Sequence, residues 1–242
     1  MEIYFYHNAN ASTLAAILST MRKTPILSVL IVFLSTACHV QSGSAPTIVD
    51  QDDFTIDTSL VPKDNTAFYF PLNLFSDTSR NVSLDSFVVK WYSEQLFALR
   101  EPVIYLDKSQ KEIYRFTWLR TFHNPVAIRI EKHGDQYFLC WKLSDGAGGY
   151  KPGKLTIDQH KKLDKQTWDA FVKKLSEIDF WKLPTNQNDR GLDGSEWILE
   201  GKSENNYHVV NRWTPNKNNG YYECCNFLLG LTDLKIKDRE KY

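Results

Sequence analysis

Two alternating runs joined by a tight turn constrain this chain more than any other feature. Val126, Ile128 and Ile130 alternate with Ala127, Arg129 and Glu131, and beyond His133-Gly134-Asp135 the residues Tyr137, Leu139, Trp141 and Leu143 alternate again. A period of two marks a strand with one buried face, so the pair predicts an antiparallel hairpin. Segments on either side extend it. Val103 to Leu106 and Ile113 to Arg120 read as strands about Asp107-Lys108-Ser109-Gln110, while Glu196 to Gly201 and Tyr207 to Trp213 read as a second hairpin. Setting Ile198 opposite Val210 would put Glu200 against His208 and Glu196 against Arg212.

Three segments carry helical periodicity instead. Leu84, Phe87, Val88, Trp91 and Leu99 recur at helical spacing between Leu84 and Arg100, with Ser83 as N-cap and Glu101-Pro102 as the stop. In Lys165 to Asp179, Asp164 supplies the cap, and Trp168, Phe171, Val172, Leu175 and Ile178 form one apolar stripe. Tyr221 to Leu231 reads as a shorter helix. The expected fold class is therefore α+β: an antiparallel meander packed against about three helices in a single domain, residues 54–242.

Upstream of that domain the pattern changes. From Met21 the chain reads MRKTPILSVLIVFLSTAC, with Arg22 and Lys23 before an apolar stretch from Pro25 to Leu34 and small residues after it. This is the layout of a secretory signal peptide, residues 21–37, and the stretch is well short of the roughly 20 residues a spanning helix needs. Residues 1–20 do not belong to that layout, and the simplest account places the true start at Met21. His39 to Asp53 is polar and Pro-containing, so residues 38–53 read as a tether.

Leu34-Ser35-Thr36-Ala37-Cys38 resembles a bacterial lipobox, with Ser35 where an aliphatic residue is usual. That resemblance implies lipidation at Cys38, a membrane partner reached through the lipid, and, since His39 rather than Asp follows the cysteine, the outer membrane facing the periplasm. Several acyl chains anchor stably where one holds only marginally. Cleavage before Cys38 removes 37 of the 242 residues and leaves 205; losing Glu2, Arg22 and Lys23 from 29 basic and 29 acidic residues leaves 27 and 28. So balanced a charge gives no footprint for nucleic acid. The pattern FW-x-LP, GLDGS-x-W-x-LE, YH-x-V-x-RW-x-P and C-x-x-LL between Phe180 and Leu231 resembles a group of uncharacterised bacterial secreted proteins and lipoproteins, which implies a shared fold and brings no activity.

Candidate chemistry is sparse. Asp193, Ser195 and His208 are the residue types of a hydrolase triad, but Gly-Ser-Glu-Trp is not the G-x-S-x-G elbow. His208 and Arg212 share a strand face, where Arg212 could grip a carboxylate or phosphate. Asp193, His208 and Arg212 are therefore the candidate ligand-binding residues. The glycine-rich run from Asp145 to Gly153 lacks the phosphate-loop order and reads as a hairpin loop. Cys140, Cys224 and Cys225 are either buried thiols or a Cys140 disulfide to one of the other two; they lack zinc spacing, so neither a metal nor a cofactor is expected. Among the tryptophans, Trp91, Trp141 and Trp168 fall on core faces, while Trp118, Trp197 and Trp213 could serve core or recognition. The sequence thus points to a lipid-anchored envelope protein that binds a protein or small ligand without catalysis. A periplasmic hydrolase acting near Asp193 and His208 is the alternative.

Overall fold

The computed structural model describes residues 58–75, 82–187, 191, 193–204 and 206–242. All of them lie in the compact unit Phe54–Tyr242. The signal segment, Cys38 and the tether lie outside the described residues.

Six antiparallel strands form one sheet: β1 Glu112–Arg120, β2 Val126–His133, β3 Gln136–Ser144, β4 Leu155–Leu163, β5 Ser195–Ser203 and β6 Asn206–Trp213, in the order β4-β3-β2-β1-β5-β6. Three helices accompany it, α1 Val82–Ala98, α2 Lys165–Glu177 and α3 Gly220–Gly230. The fold is α+β with one antiparallel sheet. Both hairpin turns are two residues long, so His133 opposes Gln136 and Ser203 opposes Asn206. Gly134 (φ 58°) and Glu204 (φ 49°) take the left-handed conformation that such turns demand.

One face of the sheet presents Tyr114, Phe116, Trp118, Ile128, Leu139, Trp197 and Leu199. Against it pack Trp168, Phe171 and Leu175 of α2 with Cys224, Cys225 and Leu228 of α3. The cap of α2 is as expected: Asp164 Oδ1 accepts from Thr167 N at 2.6 Å. Tyr221 ties α3 to the sheet, its hydroxyl donating to Trp197 O at 2.6 Å and accepting from Leu199 N at 3.1 Å.

The other face is covered too. Val89, Tyr92 and Leu96 of α1 and Leu99 just beyond it join Tyr69, Phe70 and Phe75 over Leu119, Ala127, Ile198 and Val209. Phe70, Phe75 and Tyr92 meet edge to face at 5.3–6.3 Å. Alternation in β2 had implied one buried face and one in water. Instead Arg129 and Glu131 are 3% and 4% exposed, because α1 and its preceding segment cover the face on which they stand.

Three further expectations are corrected. Val103 to Leu106 is not a strand, since Ile104–Leu106 forms a 3-10 turn. Helix α1 already includes Val82, so Ser83 sits inside its first turn and not at its cap. Leu199, not Ile198, opposes Val210, so the register of the last hairpin differs by one residue. Its two-residue turn forces that register, which places Glu200 opposite Val209 and Glu196 opposite Trp213. Glu200 and His208 therefore stand on opposite faces.

Candidate functional site

The candidate residues from the sequence are held apart. His208 opposes Gly201 on β5, six residues along from Ser195, a separation of roughly 20 Å at about 3.3 Å per residue. No hydrogen bond can join the two, and the triad is not assembled. Asp193 lies exposed in a bend before β5. His208 and Arg212 do share a face, but both hold the chain's own loop. His208 Nε2 lies 2.9 Å from Leu183 O, and Arg212 Nη1 donates to Pro184 O at 3.0 Å and Thr185 O at 3.3 Å. Burial lowers the His208 pKa, so a neutral ring donating to Leu183 is the state the fold favours.

The glycine-rich loop is likewise committed internally. Gly148 N donates to His123 O and Gly149 N to Thr121 O, while Gly146 N and Ala147 N donate to Pro152 O and Lys151 O. A Cβ on Gly148 would stand 2.6 Å from the backbone of Leu119 and Arg120. Close approach of two main chains is what these glycines provide.

Cys140, Cys224 and Cys225 are free and buried. Cys140 faces Arg129 on the α1 side, whereas Cys224 and Cys225 belong to the α3 side, so the sheet itself keeps them from pairing. Burial pushes Cys224 up to about 12 and raises Cys225 well above the ordinary thiol value, which leaves unreactive thiols. Among the described residues no group of His, Cys, Asp and Glu is arranged to hold a metal ion, and no helix is long and apolar enough to cross a membrane.

Two clusters remain that sequence reasoning did not find. On the α1 face, Glu101 meets Arg129 Nε at 2.9 Å, Lys142 Nζ at 3.3 Å and Arg115 Nη1 at 3.5 Å, and Arg115 also pairs with Glu200. The end of α1 aims Glu101 inward. Arg100 (φ 52°) closes the helix in a left-handed conformation, with Arg100 N donating to Phe97 O and Glu101 N to Leu96 O. Burial acts to raise the Glu101 pKa, but Arg129, Lys142 and Arg115 together hold it at about 2. Glu200, with Arg115 and the Tyr207 hydroxyl as partners, is instead raised by its burial. This cluster is sealed, with Glu101, Arg115 and Glu200 each at most 1% exposed.

The second cluster lies where β1 ends and β5 begins, on the α2/α3 face. Register places Trp118 opposite Trp197 and Arg120 opposite Ser195. Trp197 Nε1 donates to Ser195 Oγ at 2.8 Å and to the main-chain oxygen of Tyr242 at 3.0 Å. Trp118 Nε1 does the same at 3.1 and 3.3 Å, and Ser195 Oγ donates to that same Tyr242 oxygen. Tyr242 also sets its hydroxyl 2.7 Å from His123 Nδ1. Three donors thus converge on one oxygen, carried there by a strap that leaves α3. Leu234 and Ile236 of that strap rest on the core while Lys235 and Lys237 stay exposed.

The tryptophans and Ser195 were visible as residue types. Nothing local in the sequence links Trp118 and Arg120 to Ser195 and Trp197, because β1–β5 register brings these four together and the strap adds Tyr242. No family model matches the chain, and no match is found to a curated protein or to a solved structure.

Proposed function

We propose that this chain is a lipid-anchored protein of the bacterial cell envelope whose folded part works as a non-enzymatic binding module. The sheet end carries the binding reading. Indole N–H groups of Trp118 and Trp197 and the Ser195 hydroxyl converge there on a single acceptor, an arrangement suited to recognising an oxygen of a ligand. Anchoring is supported by the Met21 to Cys38 segment, in which a short apolar stretch leads to a small residue and a cysteine. The outer membrane facing the periplasm is the proposed site, since His39 follows that cysteine.

Replacing Cys38 tests the anchor directly. The natural chain should sediment with membranes and the Cys38→Ser chain should be released into the soluble fraction. Identical partition of the two chains would contradict the proposal.

A further inference from the structure

The end of helix α2 leaves a hollow beside it. Asp179 (φ 50°) takes the left-handed conformation, and the 3-10 turn that follows, Phe180–Lys182, drops Phe180 wholly into the core while Trp181 stays 38% exposed. Between this turn, α2 and β1 lies a cavity of about 210 Å³, walled by the rings of Tyr114, Phe180 and Trp181 and by Val172 and Leu175. The three rings meet pairwise at 5.2–6.2 Å and 63–75°, so they stand as adjoining walls and not as a stack. His208 braces Trp181, with 6.3 Å between ring centroids. Gly201, opposite Tyr114, makes room for the rings: a Cβ there would come within 2.7 Å of Phe180 and 2.9 Å of Tyr114.

Two polar groups in these walls serve nothing inside the fold. Tyr114 is 3% exposed, yet among the described residues its hydroxyl makes no hydrogen bond, and the oxygen is not sealed from water. The Trp181 indole N–H is likewise without a partner among the described residues. By contrast, the hydroxyls of Tyr69, Tyr207 and Tyr221 each donate within the fold. A hydroxyl removed from water without a partner costs free energy, so packing alone would favour phenylalanine at position 114. At the rim, Lys182 Nζ meets Asp179 Oδ1 at 3.1 Å, and both side chains are largely exposed. That pair leaves the rim neutral, while each member keeps hydrogen-bonding capacity to spare.

We infer that this cavity binds the ring of a neutral sugar. Such a ring is apolar across its C–H faces and polar around its edge. It therefore matches aromatic walls that carry the Tyr114 hydroxyl and the Trp181 N–H, with the Asp179 and Lys182 pair at the mouth. A charged guest gains little from a rim whose charges already cancel. At about 210 Å³ the cavity is smaller than the roughly 300–1,000 Å³ of sites for larger ligands, so one ring is the guest that fits. The site goes beyond the sheet-end reading, because Tyr114 lies four residues along β1 from Trp118, roughly 13 Å at about 3.3 Å per residue.

The test follows the Trp181 indole N–H resonance, identified by its loss in Trp181→Phe, in the full chain held in a detergent with neither a sugar nor a choline headgroup. The probes are methyl glucoside, methyl galactoside and N-acetylglucosamine, beside cyclohexanemethanol and tetramethylammonium. At least one sugar should shift the signal. Cyclohexanemethanol, a similar ring with a single hydroxyl, should bind about tenfold more weakly, and the cation should leave the signal still. Tyr114→Phe should fold as stably as the natural chain and weaken sugar binding by about two- to tenfold, the worth of one neutral hydrogen bond. Equal binding of sugar and cyclohexanemethanol, or sugar binding unchanged in Y114F, would overturn the sugar assignment in favour of an apolar guest. Preference for tetramethylammonium would overturn it in favour of an amine. A Trp181 signal unmoved by every probe at tens of millimolar would overturn the site itself and leave the sheet-end and anchor readings standing.

Discussion

Arg115 on β1 and Glu200 on β5 stand directly opposite each other in the sheet, and their side chains close an ion pair in which neither is more than 1% exposed. Removing one partner strands the other charge inside the fold. Arg115→Met should therefore cost about 3–5 kcal/mol, whereas Arg115→Met with Glu200→Leu should recover much of that loss, because a well-packed apolar pair can replace a buried ion pair. Urea unfolding of the single and double variants measures both. A single variant as stable as the natural chain would contradict the account of this network.

Acid should weaken the fold through Glu101. Its ordinary pKa of 4.5 falls to about 2 under Arg129, Lys142 and Arg115. Folding therefore favours its ionised form, so the contribution is complete above the ordinary value and is lost as pH falls toward the lowered one. A shift of that size corresponds to about 3 kcal/mol. Glu200 runs the other way. Its raised pKa means that its contribution is present below the ordinary value and is lost as pH rises through the raised one. Glu101→Gln should destabilise the protein at neutral pH and flatten the loss of stability between about pH 4.5 and 2. Chemical denaturation across that window reads the difference.

Glycines at two turns should respond differently to alanine. At Gly148 the new Cβ would press on the backbone of Leu119 and Arg120 at 2.6 Å, so Gly148→Ala should cost about 1–3 kcal/mol through overpacking. Gly134 meets nothing within 4 Å, and Gly134→Ala should cost only the left-handed strain of about 1–2 kcal/mol. Gly134→Asn should restore part of this, since Asn tolerates that conformation, and no such rescue is expected at Gly148. Thermal unfolding of the four chains decides it.

His208 and Arg212 should govern the loop they hold. His208→Ala releases the Leu183 carbonyl, and amide exchange should rise at residues 182–187 with little change in α2. Because burial lowers the His208 pKa, the neutral form is favoured in the fold. The clasp is complete above the ordinary value of 6.5 and loosens as pH falls through the lowered one. Loop exchange that is indifferent to both the substitution and pH would contradict this role.

Much of the scaffold was legible because its chemistry is local. The Gly134 hairpin, the α2 stripe and the Asp164 cap each declare themselves within a dozen residues. Strand β4 did not, because Leu155–Leu163 is an edge strand of mostly exposed polar residues with no apolar alternation to read. The second buried face was hidden for the opposite reason: Arg129, Glu131 and Lys142 look like a solvated side until α1 is laid over them. Pairing Ile198 with Val210 overlooked the turn, in which a positive φ at Glu204 forces a two-residue connection. The sheet-end cluster was illegible in principle, since Trp118 and Arg120 are distant in sequence from Ser195, Trp197 and Tyr242 and meet them only through register and the course of the strap.

Intact-mass analysis of the membrane-associated chain tests the proposed anchoring most directly. The account predicts a mature species that begins at Cys38 and carries added acyl mass. A chain recovered from the soluble fraction with its leader intact and no lipid would contradict it.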